Sequence, residues 1–425
     1  MATIRPFQGV RYDPAVAGNL SDVVSPPYDV ISPADRVRYH EKHPYNFVRL
    51  ILGEERPEDD ERQNRFTRAK EYLDDWLRQG IFKRDETPAI YVYEQEYARA
   101  GRILTIRGFT LLVRIEDYDK RIIMPHENTL AKPKSNLIRL MRATQANFDS
   151  IYSLYPDSRH VLMPILDEYA AKPPIAEAAD RDSVRHRLWV ITSEAQIRQV
   201  ADFLSDKDIV IADGHHRYET SMAYRDEMRR RNGPAEGDRP YDYTLMTIVN
   251  VYSRDVTIFP THRMVGNLPA GAAKELPKKL AGRFRVESAD GVDVTAAMAE
   301  RDGAAIGLVM RDAAYLLTLR GEAPSPTGRP TASSRLDLTI LHEVILEDAL
   351  GIDEDKLKHE TNVVYTRDER EAISRVKTGE FEMAFLLNPV RVESVLEVAR
   401  EGEKMPQKAT YFYPKLISGL ALRTM

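Results

Sequence analysis

The 425-residue chain has no cysteine. That removes disulfides, thiolate nucleophiles, iron–sulfur clusters and cysteine zinc sites together, so any metal has to be held by His, Asp or Glu. Long apolar runs are missing too: no stretch approaches the roughly 18 consecutive apolar residues of a membrane span. The opening MATIRPFQGVRYDP has no apolar h-region, which leads us to expect a cytoplasmic protein with no membrane partner. Positive charge is not in excess either: 61 Lys and Arg against 66 Asp and Glu leave a formal net charge of −5. A bulk nucleic-acid binder needs a basic face, so composition favours a small-molecule partner over DNA.

What is present is the composition of a soluble globular chain, 43% apolar and 30% charged, long enough to bury large cores in two domains. Periodicity predicts a helix over Arg62 to Gln79, with Phe66, Ala69, Tyr72, Leu73, Trp76 and Leu77 on one face and Gly80 as its stop. AIYVYEQEY and ILTIRGFTLLVRI read as a hairpin turned at Arg99 to Arg102. RLWVITSEAQIRQVADFLSDKDIVIADGHH has a strand–helix–strand rhythm, and LDLTILHEVILEDALG and VESVLEVAREG read as helices. The proline-rich opening, to about Pro44, is expected to be an ordered but irregular arm, and PSPTGRPTASS at Pro324 to Ser334 an exposed loop. A change of character past Pro260 suggests an α/β (mixed α+β) fold in two domains. The first is residues 1–265; the second, smaller and also α/β, is 266–425, with the apolar end KMPQKATYFYPKL docked.

Three times an apolar strand-like run leads into histidine: RIIMPHENT, IVIADGHHR and VTIFPTHR. In α/β sheets ligands collect beyond the carboxyl ends of strands, where loops and helix N-termini meet. In DGHHR, Asp213 is placed to cap a following helix, Gly214 lets the backbone approach a ligand, and Arg217 joins first-turn N–H groups in an anion site. His215 and His216 are adjacent, so one at most shares the side of Arg217. HENTLAKPK offers Glu127 as a general base, with Lys132 and Lys134 as mobile phosphate ligands. PTHR adds His262 and Arg263. Set against each is a plainer role: a histidine hydrogen-bonded for structure, or a charged surface turn.

RPFQGVRY, SPPYDVIS, YNFVRLIL, HENTLAKPK, IADGHHRYETSMAYR, FPTHR and MPQKATYFYPKL, spread over nearly the whole chain, resemble the family called domain of unknown function 1015, often labelled ParB-like. Through DGHHR the chain is distantly similar to the ParB and sulfiredoxin superfamily. That similarity implies a ParB/sulfiredoxin-like nucleotide-binding core with Gly214, His215, His216 and Arg217 near a nucleotide phosphate. Some free-serine kinases have a similar Asp-Gly-His turn. Sulfiredoxin chemistry needs a cysteine and is excluded, and no basic recognition helix supports DNA partitioning.

The leading expectation is a phosphotransferase, a kinase using Mg2+ with ATP, ADP or CTP, that acts on a small hydroxylated metabolite such as a free amino acid, serine for instance. Asp213, Gly214, His216, Arg217, Lys132, Lys134, His262 and Arg263 would bind phosphate or nucleotide, and Glu127 or His215 would deprotonate the acceptor. One alternative is a metal-dependent hydrolase or phosphatase, with Asp213 and His126 as candidate ligands. The other is a non-catalytic, ParB-like nucleotide-binding protein.

Overall fold

The computed structural model describes residues 1–127, 131–233, 236–301, 303–323, 331–359 and 361–425, with 131–133, 354 and 358 described by their backbone alone. It is a mixed α/β protein of two compact units. The first is Met1–Pro125, Thr129–Val256 and Pro414–Met425; the second is His126–Asn128 and Thr257–Tyr413. Composition suggests 265/266 as the boundary; the units part instead at Val256 and Thr257, and the last residues belong to the first unit. Among the described residues no helix is long and apolar enough to cross a membrane.

The first unit is built on one mixed sheet. Its strands are β1 (Ile4–Arg5), β2 (Ile90–Arg99), β3 (Arg102–Arg114), β4 (Ile123–Met124), β5 (Ile151–Tyr155), β6 (Ala176–Ala179), β7 (Arg185–Ile191), β8 (Ile209–Asp213) and β9 (Tyr243–Asn250). They lie in the order β4-β8-β5-β9-β3-β2-β7-β6, with β1 added beside β3. β8 is parallel to β4 and β9 to β5; the remaining pairs are antiparallel. The hairpin β2–β3 turns at Ala100 and Gly101, both with positive φ, the geometry of a tight two-residue turn. Alternate residues Phe109, Leu111 and Val113, Ile209 and Ile211, and Met246 and Ile248 point to one face, where Val200 and Leu204 cover them.

The longer helices of this unit include α1 (Pro33–Lys42), α2 (Arg65–Arg78), α3 (Ala131–Thr144), α4 (Glu194–Ser205) and α5 (His215–Asn232). Helix α2 matches the periodic reading. Asn64 and Thr67 form a reciprocal capping box, Phe66, Ala69, Leu73 and Trp76 are buried, and Gly80 follows with φ 73°. The strand–helix–strand rhythm is present as β7, α4 and β8, but β5, β9, β3 and β2 lie between the two strands, so they are not a βαβ pair.

Three expectations are corrected. The opening arm is not irregular throughout: Ser32 caps α1 with Pro33 in its first turn, the helix-start arrangement that SPAD encodes. KPK is not a loop but lies in the first turn of α3. Of the stretch Pro324 to Ser334, residues 324–330 lie outside the described residues, while Ala332, Ser333 and Ser334 are buried.

The second unit holds β10 (Thr257–Phe259), β11 (His262–Val265), β12 (Phe284–Ser288), β13 (Ala305–Met310), β14 (Ala314–Leu319), β15 (Val363–Thr366), β16 (Met383–Leu386) and β17 (Tyr411–Tyr413). Six form an antiparallel sheet, β12-β14-β13-β16-β11-β15, and β10 pairs with β17 in a separate ribbon. Met264, Val309, Leu316, Ala384 and Leu386 pack with Met298, Ala372 and Val376 of its helices. The helix expected at LDLTILHEVILEDALG runs as Asp337–Ile340 and then widens into π turns over Leu341–Ala349, with Gly351 beyond its end at φ 66°.

Candidate functional site

Ile209, Val210 and Ile211 of β8 are fully buried, and the register against β5 slips between Ile211 and Asp213. Such an irregularity re-aims the side chain at a strand end. Gly214 then turns left-handed, φ 95° and ψ 28°, and α5 begins at His215. Glycine is required twice over: the φ is strained for any other residue, and a Cβ would stand 2.8 Å from Arg217 Nε. The N-cap position of α5 is Gly214, which has no side chain, rather than Asp213. The N-terminus of this 18-residue helix keeps the positive end of its dipole, and Arg229, Arg230 and Arg231 occupy its negative end.

Asp213 instead takes two cations, one on each oxygen: Lys415 Nζ at 2.6 Å on Oδ1 and Arg217 Nη2 at 2.8 Å on Oδ2. Burial works to raise its carboxyl, but Lys415 and Arg217 outweigh it and hold the group down at about 2. Arg217 also donates to the Ser150 carbonyl and is buried. Its guanidinium is therefore engaged by the protein, which corrects the expectation that it serves first as an anion ligand. Gln95 Nε2 fixes the Lys415 carbonyl at 2.8 Å.

Two further carboxylates surround this group. Burial raises the Asp149 carboxyl above its ordinary range, against the pull of Arg217 and of a hydrogen bond from Ser418, and Asp29 and Asp213 repel it further. Burial also raises Asp29, with Asp213 adding to it and Lys415 and Arg217 opposing. Asp29 keeps an accessible surface, while the protein around it desolvates the carboxylate. Tyr28 is raised by burial and then by the same acids. His216 is lowered by burial, with Glu219 opposing and Lys134 assisting; Lys134 pairs with Glu219 one turn into α5. His215 is buried and its charge acts on Asp213.

The first unit thus brings Asp213, Gly214, His215, His216, Arg217 and Lys134 together. The side chain of Lys132 lies outside the described residues. Sequence reasoning missed Asp29, Asp149 and Lys415 as members. The signal for the first was an acid inside SPPYDVIS, and for the last an apolar C-terminal segment that holds a lysine.

His126, Glu127, His262 and Arg263 belong to the second unit. β10 ends at Phe259, just before PTHR, and His262 and Arg263 are then the first residues of β11. His126 is buried, its Nε2 lies 2.8 Å from Thr410 Oγ1, and its ring meets Phe412 edge-on. Glu127 Oε1 accepts the Lys408 N–H at 2.8 Å. Arg263 is fully buried, donates to the carbonyls of Thr261 and Lys408, and faces the Tyr365 ring at 5.4 Å. Burial brings it down to about 10. His262 Nδ1 accepts the Leu387 N–H, and burial, then the charge of Arg263, lowers it to about 4. Two of the histidine-bearing stretches and MPQKATYFY therefore meet here. Among the described residues no group of three or more His, Asp or Glu is arranged to hold a metal ion.

No curated protein matches the chain. Among solved structures, it is similar to a conserved hypothetical protein from Pyrococcus furiosus, at 13% identity over 73% of this chain and 94% of that one, with a TM-score of 0.36. A free serine kinase mutant in complex with AMP is similar at 15% identity over 71% and 87%, TM-score 0.38. SbnI with a C-terminal truncation, from Staphylococcus aureus, is similar at 10% over 73% and 85%, TM-score 0.36. Residues 4–339, well over half of the chain, match the model of a family described as a protein of unknown function, DUF1015, and the chain belongs to that family.

Proposed function

We propose that the first unit is a nucleotide-dependent phosphotransferase acting on a small hydroxylated metabolite, and that it works in the cytoplasm. One observation carries this: the N-terminus of α5, which begins behind a left-handed glycine, stands beside Asp29, Asp149 and Asp213. First-turn N–H groups and the helix dipole suit a phosphate, with His216 and Lys134 at the same end of the helix. In the same terms, the core of this unit is read as a ParB- and sulfiredoxin-like nucleotide-binding fold.

Asp29 takes the role of general base. A carboxylate that is raised and accessible can accept the acceptor's hydroxyl proton as its oxygen bonds to the terminal phosphorus of ATP, ADP or CTP and the nucleotide's bridging oxygen leaves. Magnesium carried by the nucleotide would neutralise phosphate charge, and Asp149 is the carboxylate suited to face it. The ion cluster of Asp213, Arg217 and Lys415 fixes the turn that presents the helix end. His215 acts through Asp213 as a positioning group, and Glu127, His262 and Arg263 carry no step.

The metal-hydrolase alternative has no observation in its favour: His126 is bonded to Thr410, and Asp213 to Lys415 and Arg217. A thermal-shift titration with ATP, ADP and CTP tests the phosphate site. The melting temperature should rise with at least one of them, and less in Lys134→Ala and His216→Ala. A rise of the same size in both variants would place the phosphate elsewhere.

A further inference from the structure

The first unit contains a cavity of about 440 Å³ that plays no part in the proposed phosphoryl transfer. Its volume lies within the range of small-molecule sites. Val24, Pro26, Tyr39 and Ile417 give it an apolar wall, and Ser25 lies among them. Ser25 is 1% exposed, and its Oγ has no hydrogen-bond partner among the described residues. Its main chain is fully used, donating to the Ser418 carbonyl at 3.2 Å and accepting the Ser418 N–H at 2.8 Å. The hydroxyl is the polar group left over, and a buried hydroxyl without a partner carries a desolvation cost that a ligand atom would relieve.

The rim gathers two cations on one acid. Arg38 and Arg181 both rest on one carboxylate, Asp35, at 3.0 and 2.9 Å, and Asp35 also accepts from Ser32. Two guanidiniums share one acid at the edge of an apolar cavity, a place where a further carboxylate finds forked donors. The opposite wall is fixed in advance. Asp180 accepts the N–H groups of Asp182 and Val184 and faces His186 Nε2 at 3.3 Å, while Ile417 N–H donates to Tyr93 Oη at 3.2 Å. A preformed wall loses little entropy when a ligand enters.

We propose that this cavity is a second small-molecule site of the chain, and that it takes a monocarboxylate with an apolar body. The body lies against Val24, Pro26 and Ile417, the carboxylate meets Arg38 and Arg181, and the Ser25 hydroxyl donates to an acceptor atom of the ligand. The site stands independently of the acid cluster at α5.

Calorimetric titration of the full chain with benzoate, and with benzyl alcohol as its uncharged counterpart, tests it. Benzoate should bind saturably, and benzyl alcohol more weakly. Ala179→Trp, an exposed position on the cavity lining, should weaken benzoate by about tenfold or more. Ser25→Ala should weaken it by about three- to tenfold while the free protein melts at the same or a higher temperature. Arg181→Gln should narrow the gap between benzoate and benzyl alcohol. Absence of saturable benzoate binding, or equal affinity in the wild type, Ala179→Trp and Ser25→Ala, would overturn the proposal.

Discussion

Lys415 Nζ lies 2.6 Å from Asp213 Oδ1, although 202 positions separate the two residues in the chain. The C-terminal segment is thereby part of the turn that opens α5, and the turn depends on a charge from outside its own motif.

Neutralising Asp213 should therefore cost more than a surface mutation. Asp213→Asn leaves Lys415 and Arg217 buried around an uncharged amide, and loss of one partner from such a cluster costs about 3–5 kcal/mol. Lys415→Met should cost less, because Arg217 remains on the carboxylate. Urea unfolding of the two single variants and the double variant measures this; additive losses would mean that the pair is not coupled.

The acids beside α5 predict opposite responses to pH. Asp29 and Asp149 are held above the ordinary 3.8, so the folded chain binds their protons more tightly than the unfolded chain does. They favour folding below about pH 4 and weaken it once pH rises through their folded values. Asp213, held at about 2, contributes stability above 3.8 that is lost as pH falls toward 2. Asp29→Asn and Asp149→Asn should thus raise the melting temperature at pH 7, with the gain fading in acid. Asp213→Asn should lower it at pH 7, and the gap should close only toward pH 2. Melting curves from pH 2 to 8 check both signs.

In the second unit His262 is neutral at pH 7, accepts the Leu387 N–H and is lowered to about 4. Its contribution is complete above its ordinary 6.5 and declines as pH falls from there toward 4. Hydrogen exchange at the β11–β16 amides should accelerate across that window beyond its intrinsic pH dependence. His262→Asn, with Oδ1 available in place of Nδ1, should abolish the change; unchanged protection in the wild type would exclude this linkage.

Gly214→Ala places a Cβ at φ 95° and against the Arg217 guanidinium. The strained backbone alone costs roughly 1–2 kcal/mol, and the clash adds to it by loosening Arg217 from Asp213. The expected outcome is a lower melting temperature together with weaker nucleotide binding. A variant with wild-type values for both would show that the turn tolerates a side chain.

Much of this was legible in residue order. Helix α2 could be read because its apolar spacing, capping asparagine and terminal glycine agree, and the hairpin β2–β3 because two alternating runs flank a glycine turn. DGHHR announced the strand-to-helix junction. Its charge partners could not be read: Arg217 looked available until Asp213 was seen beside it, and Asp29, Asp149 and Lys415 come from segments that only the tertiary fold brings together. That Glu127 and Arg263 belong to the second unit and DGHHR to the first was hidden for the same reason, because local pattern carries no information on which unit receives a loop.

The most direct measurement is 31P NMR of the full chain with magnesium, ATP, ADP or CTP and a panel of hydroxylated metabolites including serine, comparing wild type with Asp29→Asn. A new phosphoester should form with the wild type, and turnover should fall by about 10²–10⁴ in Asp29→Asn while nucleotide still binds. No phosphoryl transfer with any nucleotide, or Asp29→Asn turning over at the wild-type rate, would contradict the assignment.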